Sequence, residues 1–305
     1  MKWDICIAAI PALLYFVVRE YCIFDLINNN FINTQITNFI NRYDDTRVSS
    51  LIKLLIFSEK TDQFAWQIYH NSQELSIAYL LSIGGFQAVI LKNIINFIFK
   101  KFKFRNVLTF IFILFYTYIL SFSFGITRVM LMMLIKMVCK KMHRYNVWGV
   151  SGLITLILVP SSGMEIGFLL SYLCTLAVMT IYDLKISNKL LQLVIINIVC
   201  MLVSLPFVIR MNGVFSVIVL CLSPIMSGIY SATFVYYFFT WWIIWLEPIH
   251  VIVLQFYDFI FQCFSTINAT IIINNFPIFV EIIYETIFIY ALTKYFISRY
   301  ENLNY

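Results

Sequence analysis

Residues 190–209 read LLQLVIINIVCMLVSLPFVI, twenty consecutive positions without a charged side chain. A straight transmembrane helix needs about 20 mostly apolar residues to cross the hydrocarbon core of a bilayer. This stretch therefore predicts a membrane-spanning helix at 189–209. The whole chain shares its character, because 62% of its 305 residues are hydrophobic and 12% are charged. Soluble domains carry about 25% charged residues, so this chain has too little polar surface to cover a water-soluble globule.

The apolar segments predict an all-α polytopic integral membrane protein with about nine or ten transmembrane helices, several of them broken or re-entrant because they are shorter than a full span. The stretch at 249–273 contains polar residues and is predicted to be interfacial or re-entrant. The predicted helices from residue 75 onward lie at 75–99, 106–124, 126–139, 145–159, 166–182, 189–209, 214–231, 232–246 and 278–297.

Composition divides the chain into three parts. Residues 1–27 contain an apolar run without a cleavage site and predict an N-terminal membrane helix. Residues 28–74 are the longest polar stretch, predicted to be external and to contain amphipathic helices such as Val48–Phe57. Residues 75–305 form the main transmembrane domain.

Basic residues predict the orientation. Lys and Arg in short loops are retained on the cytoplasmic side of a membrane, and three basic clusters fall on one side if the intervening segments each span. We therefore predict a multi-pass protein of the cell membrane with both termini in the cytoplasm. The clusters are Lys100, Lys101, Lys103 and Arg105; Lys140, Lys141 and Arg144; and Lys185 and Lys189.

No soluble-enzyme signature is present: the chain lacks a phosphate-binding glycine loop, an HExxH pair and a nucleophile elbow. The three histidines are scattered, and no two of the seven cysteines have metal-ligand spacing. We therefore expect no enzyme activity, cofactor, metal site or disulfide.

A few polar and small residues interrupt the apolar helices. Arg128 begins one helix, and Lys136 lies eight residues later on about the same face. A cation in hydrocarbon costs about 2.5–3.5 kcal/mol on insertion scales, so it faces a cavity or a partner, or else it extends to an interface. Lys136 is interpreted as reaching the inner interface, whereas both interpretations stay open for Arg128. Gly84-Gly85, followed by Gln87, indicates either close helix packing or an unwound element beside a cavity.

Four blocks in order resemble the competence domain of ComEC-type proteins, the membrane channels for DNA uptake in natural transformation. The resemblance covers roughly residues 50–300. The blocks are YLLSIGGFQ at 79–87, FGITRVMLM at 124–132, VP at 159–160 with MEIGFLLSY at 164–172, and LP at 205–206 with NGVFS at 212–216 and SP at 223–224.

The resemblance implies a channel that moves single-stranded DNA across the lipid bilayer into the cytoplasm. Arg128 would contact phosphate, four glycines would shape broken helices, and the polar residues would line the DNA path. The implied partners are single-stranded DNA, a separate DNA receptor and a cytoplasmic ATP-driven helicase, with a homo-oligomer left open. The implied path residues are Arg128, Gln87, Ser171, Gly84, Gly85, Gly167, Asn212 and Gly213.

Three positions depart from the family pattern. Gln87 stands where the family usually has His, Leu169 replaces a Gln, and Gly84 replaces a Ser. These changes imply that the polar lining is partly lost. We expect a channel-only member, without the nuclease-like domain found in the family. Two alternatives remain, namely a small-solute transporter or channel and a degenerate non-catalytic membrane protein.

Overall fold

The structure is a computed structural model, and the residues that it describes are about 81% helical with almost no sheet. The predicted N-terminal helix at 1–27 and most of the predicted helix at 278–297 lie outside the residues that the structure describes. The described residues are 31–59, 62–77, 85–120, 122–158, 166–184, 186–216, 218–267, 270–273, 277, 283–284 and 286–287.

Eleven α-helices follow one another in this described part. The first three are α1 (Phe31–Ile40), α2 (Thr46–Ile52), which continues as a π-helix (Lys53–Phe57), and α3 (Gln63–Glu74). The next six are α4 (Gly85–Ile98), α5 (Arg105–Ile119), α6 (Phe124–Val138), α7 (Arg144–Leu158), α8 (Ile166–Asp183) and α9 (Lys189–Asn212). The last elements are β1 (Val214–Ser216), α10 (Val219–Thr240), a 3-10 turn (Ile244–Leu246), α11 (Glu247–Ile267) and β2 (Thr270–Ile272).

The predicted helices α5 to α9 are confirmed, with ends shifted by a few residues. The first predicted helix of this series begins later than expected, because residues 75–77 are not helical and the described helix α4 runs from Gly85 to Ile98. Gly84 itself lies outside the described residues.

The prediction of two helices at 214–231 and 232–246 is wrong, because a single helix, α10, runs from Val219 to Thr240. The Ser and Thr residues near the predicted break do not interrupt it. Ser231 and Thr233 donate their hydroxyl hydrogens to carbonyls four residues earlier, at Ser227 and Ile229. Such back-bonding satisfies the hydroxyl within the helix.

The region predicted to be interfacial or re-entrant, 249–273, contains most of the continuous helix α11 and the strand β2. The helix shows no re-entrant break, and an interfacial position stays a prediction. β2 pairs antiparallel with β1, with Phe215 opposite Ile271. Gly213 allows the chain to turn from α9 into β1. It ends α9 with a φ of +65°, a left-handed conformation that favours glycine.

Large apolar side chains cover much of the outer surface, as expected for helices that face lipid. Trp245 is 93% exposed, Phe97 76% and Leu190 75%. In the described part of the chain, three helical segments are long and apolar enough to cross a membrane, namely Ile166–Asp183, Lys189–Arg210 and Ile244–Ile267. The chain is therefore a helical membrane protein. The side of the membrane on which each loop lies stays a prediction.

The polar N-terminal stretch contributes to the core rather than standing apart from it. The sequence predicts an amphipathic helix at Val48–Phe57, and a helix is present there. However, every residue from Val48 to Phe57 is buried, so the helix lacks a polar exposed face. Helix α2 packs against α11, and the π-helix that continues it packs against α10. An ion pair between the buried Lys53 and the half-buried Asp62, at 2.9 Å, joins the π-helix to the start of α3.

Pro206 lies inside α9 and cannot donate a hydrogen bond to the carbonyl of Leu202, four residues earlier. The hydroxyl of Tyr284 donates to that carbonyl instead, at 2.9 Å. The structure thus satisfies the acceptor that the proline leaves free, at a point where α9 is able to bend.

One hydrogen bond between distant parts of the chain should be measurable in the stability. The hydroxyl of Tyr116 in α5 donates to the carbonyl of Ile56 in the π-helix, at 2.7 Å, and both are buried. Tyr116→Phe would leave that carbonyl without its donor, so we expect the free energy of unfolding to fall by about 1–3 kcal/mol. Denaturant titration in detergent measures this change.

Tyr182→Phe is the matched control, because Tyr182 is 55% exposed. Its free energy of unfolding should stay within about 0.5 kcal/mol of the unsubstituted chain. An equal loss of stability in both variants would contradict a specific role for the Tyr116 hydrogen bond.

Candidate functional site

A cavity of about 1600 Å³ opens between the helices of the second half of the fold. Helices α4, α6, α8 and α9 line most of it, and α10 adds Ser227, Tyr230 and Ser231. Ser58, directly after the π-helix, is the contribution of the N-terminal stretch. The cavity is therefore built by several helices that are far apart in sequence.

Helix α6 gives this cavity one complete face. Its lining residues are spaced three and one positions apart in turn, which is the spacing of a single helical face. From Gly125 to Met137 this face extends about 18 Å at 1.5 Å per residue. The residues are Gly125, Arg128, Val129, Met132, Met133, Lys136 and Met137, followed beyond the helix by Lys140.

Arg128 lies near the start of this face and is only 6% exposed. Its Nη1 donates a hydrogen bond to Oγ of Ser171 in α8, at 2.8 Å. Its Cζ lies 5.8 Å from the centre of the Tyr172 ring, within the range of a cation–π contact. Among the described residues, no carboxylate forms an ion pair with Arg128.

Gly85 is the reason that the guanidinium fits in this place. A Cβ added to Gly85 would lie 1.6 Å from Nη2 and 2.8 Å from Cζ of Arg128. Any other residue at position 85 would therefore displace the guanidinium from its position beside α4. Glycine is required here for close approach.

Tyr172 connects the Arg128 site to α7. Its ring packs on Gly152, where an added Cβ would lie 3.2 Å from Cε1. Its hydroxyl is 3.1 Å from Oγ1 of Thr155, and its carbonyl accepts a hydrogen bond from Trp148 at 3.0 Å. These contacts fix the aromatic face beneath the guanidinium.

The start of α6 carries polar atoms that the described residues do not use. Oγ of Ser123 and Oγ1 of Thr127 are buried without a hydrogen-bond partner, as is Nε of Arg128. Ser123 precedes the helix without capping it by its side chain. The first N–H groups of a helix have no intrahelical acceptor and, together with its dipole, attract anions. This end of the cavity is therefore suited to a negatively charged group.

Positive charge dominates the cavity wall. No Asp or Glu is among its described lining residues. Arg144 pairs with Asp183, which lies outside the lining. All three basic clusters that predicted the orientation contribute to the wall, so their charges also face the cavity. The seven lining cations are Lys92, Lys103, Arg128, Lys136, Lys140, Arg144 and Lys189.

The predicted path residues are partly brought together. Arg128, Gln87, Ser171, Gly85 and Gly167 line the same cavity, and Gln87 is buried. Gly167 has no special role in the packing, because an added Cβ would meet only the Phe124 ring, at an ordinary 3.6 Å.

The remaining predicted path residues are not placed in the described cavity wall. Gly213 is the cap of α9 and does not line the cavity, whereas the side chain of Asn212, the last residue of α9, is not among those that the structure describes. Gly84 is outside the described residues. Leu169 also lies outside the lining, so the replacement of a glutamine there removes no polar group from this wall.

Sequence reasoning missed Tyr172 and the full set of lysines. Lys136, interpreted as reaching the inner interface, also lines the cavity and donates to the carbonyl of Met142 in the loop after α6. The three-and-one spacing along α6 was visible in the sequence and could have indicated this face. Among the described residues, no group of three or more His, Cys, Asp or Glu side chains is placed to hold a metal ion.

These features define a helical membrane protein with a basic internal cavity. The chain belongs to the Competence protein family, whose match covers residues 55–296. This confirms the resemblance, and membership supports a role in competence and DNA uptake.

Two curated relatives are themselves uncharacterized. The chain is 24% identical over 250 residues to the uncharacterized protein MG316 of Mycoplasma genitalium, with 79% of this chain covered. It is 22% identical over 240 residues to the homologue of that protein in Mycoplasma pneumoniae, with 78% covered. The chain spans 65% and 63% of the lengths of these relatives. No solved structure matches it.

The contact between Gly85 and Arg128 predicts a strong coupling between the two positions. Gly85→Ala should lower the free energy of unfolding by about 1–3 kcal/mol, because the added Cβ overlaps the guanidinium. In an Arg128→Ala background the same change should cost less than about 0.5 kcal/mol. Denaturant titration of the four proteins in detergent measures the difference.

Gly149→Ala is the matched control, because an added Cβ there meets nothing within 4 Å. It should leave the stability equal or slightly higher, since alanine is favoured over glycine inside a helix. Equal costs for Gly85→Ala in both backgrounds would show that the two residues do not compete for the same space.

The positive wall predicts a preference for anionic reagents. Cys174 lines the cavity, so a chain that retains this cysteine alone should react faster with 2-sulfonatoethyl methanethiosulfonate than with the cationic trimethylammonioethyl reagent. A cleft lined by one sign of charge concentrates counter-ions, and we expect a rate ratio of roughly tenfold at low salt.

Two variants make this labelling experiment specific. Arg128→Gln should reduce the ratio, and a chain that retains only Cys263, outside the cavity wall, should show little preference. A cationic preference at Cys174 would refute the charge assignment of the cavity. Labelling should be followed by mass spectrometry of the intact protein.

Proposed function

We propose that this protein translocates single-stranded DNA through the membrane into the cytoplasm during natural transformation. The observation that carries the proposal is the cavity wall, which contains seven cations and no carboxylate among the described residues. Membership in the Competence protein family supports DNA as the cargo. DNA is a polyanion, and a positively charged wall would attract it. The receptor that delivers the DNA and the ATP-driven helicase that pulls it are separate proteins in this proposal.

The cost of keeping these cations together supports an anionic occupant. Two like charges roughly 10 Å apart repel by about 0.4 kcal/mol in water, but by about 1.7 kcal/mol at an effective dielectric constant near 20. The repulsion is summed over several lysines and falls when phosphates enter the cavity. The wall is thus better suited to the loaded state than to the empty one.

The size of the cavity favours a chain over a small molecule. Sites for small ligands enclose about 300–1,000 Å³, whereas this cavity measures about 1600 Å³. The α6 face alone, about 18 Å long, spans about five phosphates at the 3.4 Å repeat of a strand in duplex DNA. Two of the seven lining cations, Arg128 and Lys136, lie on this face, and the other five are distributed over the rest of the wall.

In the proposed mechanism, Arg128 and the start of α6 form the first phosphate contact. The lysines at the far end of α6 and in the adjoining loops then receive the next phosphates. Gln87 and Ser171 supply polar contacts beside Arg128, and the Tyr172 ring holds the guanidinium in place. Because the phosphates are equivalent, a contact that breaks is replaced by the same contact with the next phosphate. The strand is therefore able to move along the wall.

Arg128→Ala should lower DNA uptake by at least about tenfold, because one charge-assisted hydrogen bond contributes about 1.5–3 kcal/mol. Arg128→Lys should retain part of the uptake, because it keeps the charge and loses the fork of donors. The measurement is labelled DNA that becomes DNase-resistant in a transformable host whose uptake depends on this chain, normalised to the amount of protein in the membrane.

Neighbouring lysines provide matched controls for charge. Lys140 lines the cavity and Lys141 does not, and the same holds for Lys103 and Lys101. Lys140→Gln and Lys103→Gln should reduce uptake, whereas Lys141→Gln and Lys101→Gln should not. The two lysines of each pair lie in the same loop, so each substitution removes the same charge from the orientation signal. Equal effects within both pairs would count against a DNA path through this cavity.

Purified protein in liposomes separates the proposed function from its alternative. A single-stranded oligonucleotide added outside the liposomes should enter their lumen, and Arg128→Ala should reduce this entry. Flux of small organic anions without any movement of oligonucleotide would replace DNA transport with small-solute transport. Unchanged uptake after deletion of the gene in the host would reject the proposal outright.

A further inference from the structure

Two cysteines face each other in the cavity wall. Sγ of Cys174 in α8 lies 3.8 Å from the carbonyl oxygen of Cys200 in α9, and Sγ of Cys200 lies 3.9 Å from the carbonyl oxygen of Cys174. Both thiols are free and half-buried, and both line the cavity. Two reciprocal contacts of this length require the backbones of α8 and α9 to run close together at this level.

The pair lies beside the Arg128 site. Ser171, which accepts the hydrogen bond from Arg128, is one helical turn before Cys174 on the same face of α8. The guanidinium is close enough to interact electrostatically with both sulfurs. A change at the two thiols therefore acts directly on the wall that holds Arg128.

We propose that Cys174 and Cys200 form a dithiol site that an added oxidant closes to an intramolecular disulfide, which locks α8 to α9. A disulfide needs Cα atoms about 4.4–6.8 Å apart, a separation found between closely packed helices. With diamide as the oxidant, each thiol loses a proton and an electron and one sulfur–sulfur bond forms. The two protons and two electrons pass to the nitrogen–nitrogen double bond of diamide, which becomes a hydrazine.

The lock has a mechanical consequence for the cavity. Pro206 leaves α9 without one internal hydrogen bond six residues after Cys200, so the two halves of α9 are able to move relative to each other there. A disulfide at Cys200 would fix the first half of α9 to α8. The wall could then no longer adjust to a passing strand, a consequence that rests on the proposed function.

The chemical part is tested on purified protein that retains only Cys174 and Cys200. Diamide should remove both alkylatable thiols without forming covalent dimers, and dithiothreitol should restore them. Peptide mapping by mass spectrometry should identify the Cys174–Cys200 link. A chain that retains Cys174 and Cys263 is the control and should stay alkylatable. Thiols that remain alkylatable in the Cys174–Cys200 chain would overturn the proposal.

The functional part uses the uptake assay with and without diamide. Uptake by the chain with both cysteines should fall at least about tenfold and recover with dithiothreitol, whereas a Cys200→Ala chain should be insensitive. A disulfide that forms while uptake continues unchanged would overturn the lock. Absence of uptake before oxidation would instead show that the proposed function has failed, and the mapping of the disulfide is independent of that result.

Discussion

The guanidinium of Arg128 is buried beside α4 and α8 with a hydrogen bond to Ser171 and no carboxylate partner among the described residues. A cation in such a place costs several kcal/mol unless it is hydrogen-bonded, packed on an aromatic ring or paired with an anion. The structure supplies the first two through Ser171 and Tyr172, and Gly85 supplies the space. Three of the sequence blocks that carry the family resemblance therefore meet at a single side chain, although they are far apart in the sequence.

The other positive charges of the wall lie in the same cavity as Arg128. Basic loops alone are explained by membrane orientation, because lysine and arginine are retained on the cytoplasmic side. Orientation does not require these side chains to line an internal cavity, nor does it require the absence of carboxylates there. The wall contains cations from all three basic clusters, together with Lys92 and Lys136 from within helices. The two roles are compatible, because basic side chains that fix the topology can also lie in a cavity wall and attract an anionic chain.

Much of this fold could be predicted from the sequence, because lipid leaves few choices to an apolar chain. Most ends of helices α5 to α9 lie beside a charge, a proline or a glycine that interrupts an apolar run, although α5 ends at Ile119 without one. One error lies at the predicted boundary between 231 and 232, where α10 is continuous and Ser231 and Thr233 form hydrogen bonds within the helix. The grouping of Gln87, Arg128 and Ser171 followed from the resemblance. In contrast, the burial of Val48–Phe57 and the role of Tyr172 depend on tertiary contacts that no local spacing encodes.

The departures from the family pattern have less effect on the site than their number suggests. Leu169 lies outside the cavity lining, and Gln87 still places an amide in the wall. A single strand presents many equivalent phosphates, so its recognition depends on the total charge of the wall and tolerates the loss of one polar contact. The arginine differs from those contacts because it is buried and because Gly85 and Tyr172 are shaped around it. Selection for transport of a polyanion would therefore preserve the triad of glycine, arginine and tyrosine while the other polar positions of the wall drift.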